Sequence, residues 1–317
     1  MRHKRIVWWS FVGLLVGLGT GLFAGEAAPP GQIVPGNAVF TDEPRARALY
    51  DRMIAAFRQP QTLSYKCQFR WEAQGRELGR GVNLVWLKKP NQFRVEALWP
   101  DGRLGGTLIG DGNFLWIFWP GDRPQFASTK EEYEKTRSKV YMKEETPLAK
   151  HSIGHKVISL GVPMNLPIFD ASTFHGYTDS LQPYLDGAMG MGTEKVGDED
   201  CDVIEVSFMK HQRSWYLWLS RKDHLPRKLQ EIVRTSHGGT IHEVWSDIVI
   251  DGAIPAERLV WTPPEGWRQW KPPDPEELLL KPGTPAPDFE LTAVDGRKIK
   301  LSDFRDKIVW LYIWRAG

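Results

Sequence analysis

Residues 91–119 have the sequence NQFRVEALWPDGRLGGTLIGDGNFLWIFW. Apolar and polar residues alternate along it, and Asp-Gly pairs at 101–102 and 111–112 interrupt the alternation. Alternation of period two is typical of β-strands with two unlike faces, and Asp-Gly favours the tight turns of hairpins. The stretch therefore predicts an antiparallel meander whose last strand carries Trp116 and Phe118 on one face.

The same alternation continues on both sides of this stretch. Upstream, residues 62–88 predict two more strands, with Val82, Leu84 and Trp86 on one face. Downstream, five alternating runs separated by turn residues predict further strands. These runs are CDVIEVSF, RSWYLWLS, PRKLQEIVR, TIHEVWSDIVI and ERLVWTPP. Together the runs predict a mainly β domain with some helix (α+β) and about nine or ten strands.

Helical patterns lie on either side of the first strands. Residues 44–60 predict one amphipathic helix that begins at Pro44 and is stopped by Pro60. Its apolar face consists of Leu49, Met53, Ile54 and Phe57. Residues 130–145 are charged and predict a helix or a solvated segment. Residues 146–192 contain several Pro and Gly residues and are predicted to leave the sheet as an excursion, with one weak helical pattern in DSLQPYLDGAM.

The N-terminus has the pattern of an export signal. Basic residues at positions 2–5 precede the apolar run 6–23, which is followed by small residues. Residues 1–27 are therefore predicted to be a cleaved signal peptide, with a retained membrane anchor as the alternative. Residues 28–43 are predicted to be a flexible lead-in, and the protein is expected in the periplasm or anchored facing it.

The two cysteines, Cys67 and Cys201, leave two alternatives open. An exported protein enters an oxidising compartment, where the pair can form a disulfide. Each cysteine can equally be a buried thiol that packs as a small apolar residue.

Composition excludes several other classes of protein. The chain has 41 Lys plus Arg and 39 Asp plus Glu, so it lacks the basic field that nucleic-acid binding requires. His, Cys and acidic residues do not occur at metal-ligand spacing, and there is neither a nucleophile motif nor a nucleotide fingerprint. We therefore expect no catalytic residues, no metal and no cofactor in this chain.

Residues 44–267 carry a family resemblance. The segments KKPNQFRVEA, IGDGNFLWIFWP, WYLWLSRKDHLPRKLQ and VWSDIVIDGAIPAERLVWTPPEGW resemble the periplasmic lipoprotein carriers and receptors of the LolA/LolB type and their lipoprotein-sorting relatives. The resemblance implies a curved antiparallel sheet, an incomplete barrel, covered by helices that enclose an apolar cavity. The cavity is expected to be lined by Trp86, Trp116, Phe118 and Trp218. The alternative is that these rings fill the core between sheet and helices.

A second resemblance follows the Pro-rich segment 268–281, which is predicted to be a linker. Residues 282–317 contain PGTPAPDFEL, an Asp-Gly turn at 295–296, KLSDF and the apolar run 308–314, and resemble the start of a redoxin, a thioredoxin-like protein of the thiol-specific antioxidant class. In that family the reactive cysteine lies in the loop after this strand. The sequence ends at Gly317 before such a cysteine, so the segment is expected to lack thiol chemistry.

The sequence is consistent with three functional hypotheses. The leading hypothesis is an exported envelope protein that binds a lipid, a lipoprotein acyl chain or another apolar ligand, with envelope lipoproteins or the membrane as partners. The alternative is part of a thiol-disulfide oxidoreductase or peroxidase whose catalytic portion is missing. The third hypothesis is a module that mediates protein contacts.

Overall fold

The structure is a computed structural model that describes residues 40–121, 131, 134–135, 137–144, 166–177, 181–235, 238–270, 280–293 and 295–310. The predicted signal, all but four residues of the lead-in, about half of the segment 146–192 and most of the linker lie outside the described residues. The chain divides into two compact units, Met1–Lys271 and Pro272–Gly317.

The first unit is built on one twelve-stranded sheet. Its strands are β1 Thr62–Ala73, β2 Arg76–Lys88, β3 Gln92–Leu98, β4 Leu104–Asp111, β5 Leu115–Trp119, β6 Val140–Lys143, β7 Leu185–Val196, β8 Glu199–Phe208, β9 Arg213–Ser220, β10 Pro226–Val233, β11 Thr240–Ile250 and β12 Arg268–Gln269. Their order across the sheet is β12-β6-β5-β4-β3-β2-β1-β11-β10-β9-β8-β7. Neighbours pair antiparallel except β12, which runs parallel to β6. The predicted mainly β class with a curved, open antiparallel sheet is confirmed.

The hairpins within residues 91–119 form where the Asp-Gly pairs predict them. Gly102 and Gly112 have φ of 83° and 103°, which glycine adopts without steric cost. Asp101 accepts a hydrogen bond from the backbone N–H of Arg103 at 3.1 Å, and Asp111 accepts from that of Phe114 at 2.8 Å. These carboxylates fix the two turns and hence the register of β3, β4 and β5.

Besides helical residues at 131, 134 and 135, this unit has the α-helices α1 Pro44–Arg58 and α2 Ala171–His175 among its described residues. The predicted helix is confirmed with Pro44 in its first turn, and its buried face consists of Ala46, Leu49, Tyr50, Met53 and Phe57. α2 begins after Asp170, whose side chain accepts from the N–H of Ser172 at 2.7 Å. No helix in the described ranges is long and apolar enough to cross a membrane.

Two local predictions were wrong, and a third was right only in part. ERLVWTPP is not a strand: residues Ala256–Leu259 form a 3-10 turn and the rest is irregular, because the neighbouring prolines cannot donate to a strand ladder. The weak helical pattern in DSLQPYLDGAM gives way to strand β7 from Leu185 onward, since pairing with β8 outweighs helix propensity where Gly187 and Gly190 occur. In the charged segment 130–145, the described residues 131, 134 and 135 are helical and exposed, as predicted, whereas residues Val140–Lys143 form strand β6.

The described part of the second unit is small. β13 Glu290–Thr292 and β14 Lys298–Lys300 form a hairpin, and a 3-10 turn follows at Leu301–Phe304. Of the apolar run 308–314, residues 308–310 are exposed and not in a strand, and the remainder lies outside the described residues. The redoxin resemblance of this unit stays a prediction.

Candidate functional site

The sheet presents two faces with different coverings. Along each strand, alternate side chains point to opposite faces. We call core face the side that packs into the main buried cluster, which includes Tyr65, Val85, Phe93, Leu217 and Trp245. The outer face is the opposite side.

The core face is covered by α1 and by residues 166–177, which include α2; together we call them the cover. Rings from the cover and from the sheet meet around Phe57. Its centroid lies 6.4 Å from Tyr65, 6.1 Å from both Phe169 and Phe174, and 5.9 Å from Trp245. We call these five rings the aromatic core. It contains rings from both the cover and the sheet.

A few polar contacts attach the cover to the sheet. The hydroxyl of Tyr65 donates to the carbonyl of Phe169 at 2.7 Å, and the N–H of Ile168 donates to Oε1 of Glu243 at 2.8 Å. Within the cover, Arg58 donates to the carbonyl of Thr173 at 3.1 Å and so joins α1 to α2. Nε2 of His175 lies 3.2 Å from the carbonyl oxygen of Gln92 on β3, and Lys89 donates to the carbonyl of Arg58 at the end of α1. Apolar packing adds to these contacts.

Glu243 is a carboxyl group buried on the core face, 1% exposed. It accepts hydrogen bonds from the N–H of Ile168 and from Nε1 of Trp245, the latter at 3.0 Å. Burial raises the pKa of Glu243 to about 7, although these two donors oppose the shift. Burial and the nearby Glu243 carboxyl likewise raise the pKa of Cys67 well above its usual value. The carboxyl therefore titrates near neutral pH directly beneath the cover.

The four predicted cavity residues lie elsewhere. Trp86, Trp116, Phe118 and Trp218 each lie between two core-face neighbours of the same strand, so each points to the outer face. The prediction that they line a space beneath helices is therefore corrected, and so is the alternative that they fill the core there.

Their actual surroundings differ from one ring to the next. The ring of Phe118 stacks on Trp261 with centroids 4.3 Å apart, and Trp116 meets the same residue at 5.8 Å. Arg258 lies 4.4 Å over the ring of Trp86. Trp218 donates from Nε1 to Glu194 at 2.6 Å. Trp86, Trp116 and Phe118 thus contact side chains of the segment 252–267, which is far in sequence from their strands.

Phe57 belongs to the apolar face predicted for the first helix, whereas Tyr65, Phe169, Phe174 and Trp245 were not predicted as site residues. The signal that could have found Tyr65 and Trp245 is the register of their strands, since both lie in the alternating runs. No periodic pattern marks Phe169 and Phe174, which come from an irregular segment and a helix of five residues.

The aromatic core is closed in this structure. Its rings are almost fully buried and fill the space between the described cover and the sheet. A separate cleft of about 270 Å³ is lined by Arg94, Pro255, Glu257 and Arg258, and its lining is mostly charged. The described residues therefore do not show the preformed apolar cavity that the LolA/LolB resemblance implies.

The two cysteines are free thiols. Cys67 is buried on the core face of β1, whereas Cys201 is buried in a small outer-face cluster with Val203 and Trp218 on β8 and β9. Three strands separate β1 from β8 across the sheet. A disulfide is excluded by this geometry, which leaves the buried-thiol alternative.

Residues 133–270 match a family model described as "Predicted periplasmic protein (DUF2092)". The predicted periplasmic localisation is confirmed. No curated protein matches the chain.

Several solved structures are similar at low identity. A LolA superfamily protein from Nitrosomonas europaea is 14% identical with a TM-score of 0.32, and the match covers 68% of this chain and 97% of that one. The Mycobacterium tuberculosis lipoprotein LppX is 10% identical with a TM-score of 0.39, over 68% of this chain and 100% of that one. MucB is 14% identical with a TM-score of 0.39, over 69% and 64% of the two chains.

Proposed function

We propose that this protein binds the acyl chain of a lipid or lipoprotein in the periplasm, as a carrier or receptor. The binding space lies between the cover and the core face, at the aromatic core. The observation that carries the proposal is that rings from the cover, Phe57, Phe169 and Phe174, meet rings from the sheet, Tyr65 and Trp245, with few polar bonds between the two layers.

An acyl chain can replace this packing because it offers the same kind of surface. Each buried methylene contributes about 0.8 kcal/mol, so a chain of about fifteen methylenes has a ceiling of roughly 12 kcal/mol. Opening the cover breaks at least three hydrogen bonds to the strands, at about 1 kcal/mol each, and separates the rings of the two layers. The ligand restores apolar contacts to those rings, so most of the loss is recovered on binding.

Binding is expected to select a minor open state of the cover. A ligand that binds an open state shifts the population toward that state, and the apparent affinity is reduced by the fraction of open molecules. Weakening the closed cover should therefore tighten binding. Phe174 is suited to this test, because its ring packs edge-on against Phe57 at 6.1 Å and belongs to the cover alone.

The test is titration of delipidated protein with cis-parinaric acid, a fluorescent fatty acid. We expect saturable binding of one probe per chain, displaced by palmitate, and at least fivefold tighter binding to Phe174→Ala. The control Trp116→Ala removes an outer-face ring and should change the affinity less than twofold. The proposal would be abandoned if the probe does not saturate, or if the outer-face variant loses binding while the cover variant is unchanged.

A further inference from the structure

Two buried polar atoms at the C-terminal end of the cover lack hydrogen-bond partners. They are Nδ1 of His175 and the hydroxyl of Tyr177, and neither has a partner in the part of the chain that the structure describes. The two rings stack with centroids 5.3 Å apart. A buried polar atom without a partner costs about 1–3 kcal/mol, so two neighbouring ones indicate a place where a missing group completes the bonding.

The hydrogen-bonding roles of the two atoms follow from their surroundings. Nε2 of His175 lies 3.2 Å from the carbonyl oxygen of Gln92, which can only accept, so Nε2 carries the hydrogen and Nδ1 presents a lone pair. Burial, aided by the positive charge of Lys89, lowers the pKa of His175 to about 4, although the backbone carbonyls of Gln92 and Pro90 oppose the shift, and the ring is neutral at pH 7. Burial raises the pKa of Tyr177 to about 12, so its hydroxyl keeps its proton and can donate.

The pair lies where the aromatic core approaches solvent. His175 and Tyr177 are half-buried, and the ring of Tyr177 packs against the main core. The ring of His175 meets Phe174 at 5.1 Å and Phe93 at 6.5 Å. A ligand whose chain entered the aromatic core could therefore leave its polar end at this pair.

We propose that His175 and Tyr177 form the head-group site of the acyl ligand. The site takes a group that donates one hydrogen bond to Nδ1 of His175 and accepts one from the hydroxyl of Tyr177. A hydroxyl and a protonated carboxyl both satisfy this requirement. A phosphate without protons would direct acceptor oxygens at the lone pair of Nδ1, and a methyl ester has no hydrogen to donate. This assignment rests on the proposed binding of an acyl chain.

The experiment compares three probes that share a twelve-carbon chain and differ at the head: monolauroylglycerol, lauric acid and methyl laurate. Isothermal titration calorimetry with the full chain should give about tenfold tighter binding of the probe with the matching head than of methyl laurate. Tighter binding of monolauroylglycerol than of lauric acid would identify a hydroxyl as the matching head group, and tighter binding of lauric acid would identify a protonated carboxyl. Tyr177→Phe removes one hydroxyl and should bring the ratio close to one while affinity for methyl laurate stays unchanged.

Tyr184→Phe is the matched control, because Tyr184 is 55% exposed and should leave the ratio at its wild-type value. Thermal unfolding of Tyr177→Phe should match or exceed that of the wild type, since the hydroxyl removed has no partner. Equal affinity of the wild type for all three probes, or a ratio that persists in Tyr177→Phe, would overturn this inference and leave acyl-chain binding intact. Failure of all three probes to bind would overturn both proposals.

Discussion

Replacing Phe57 by alanine is expected to lower the free energy of unfolding by about 3–5 kcal/mol. Phe57 is 1% exposed, and its ring contacts Tyr65 and Trp245 of the sheet and two further rings of the cover. The substitution removes the transfer free energy of the ring and leaves a cavity that these neighbours cannot collapse to fill, because they belong to different elements. Urea unfolding followed by circular dichroism measures the change.

Tyr184→Ala is the control for this measurement, because it removes an exposed ring from the same unit. We expect a change within about 0.5 kcal/mol for that variant. A loss below about 1 kcal/mol in Phe57→Ala would mean that the cover does not pack on the sheet as described.

The second large effect concerns pH. Folding raises the pKa of Glu243 from 4.5 to about 7, so the folded state holds this proton more tightly than the unfolded state. The stability contributed by the neutral carboxyl is therefore fully present below pH 4.5 and is lost as the pH rises to 7. Between pH 5 and pH 8 the free energy of unfolding should fall by about 2–3 kcal/mol from this group. Glu243→Gln should abolish that part of the pH dependence.

The measurement is urea unfolding of wild type and variant at a series of pH values, with the difference between them plotted against pH. Cys67 on β1 is in contact with this carboxyl, and the charge of Glu231 on β10 also raises its pKa; both are unchanged by the substitution. Glu257→Gln, at an exposed position, should give a flat difference. If the difference in unfolding free energy between wild type and Glu243→Gln were also independent of pH, the raised pKa of the buried carboxyl would be contradicted.

The strands and turns of the sheet could be predicted because their signals are local. Alternation and the Asp-Gly pairs at 101–102 and 111–112 need no knowledge of the rest of the chain. The same holds for α1, whose apolar face and N-terminal proline are contiguous in sequence. The position of each turn then sets the register, and so determines which residues of the two neighbouring strands pair.

The identity of the core face could not be predicted, because both faces of several strands are apolar. In β2, Val85 and Leu87 point to the core while Leu84 and Trp86 point to the outer face. Period two separates the faces but does not say which one receives a helix. The outer face is apolar because residues distant in sequence, such as Trp261, pack on it. Such a contact produces no periodic pattern in the sequence. The cover residues 166–177 are missed for the same reason.

Photo-crosslinking with a diazirine-bearing palmitate locates the bound ligand and shows whether it lies between the cover and the core face. After irradiation and proteolysis, mass spectrometry should place the label on α1, on residues 166–177 and on the strands that carry Tyr65 and Trp245. Excess palmitate should suppress this labelling. Label confined to outer-face residues such as Trp116, Phe118 and Trp261, or spread over the surface without competition, would contradict the account.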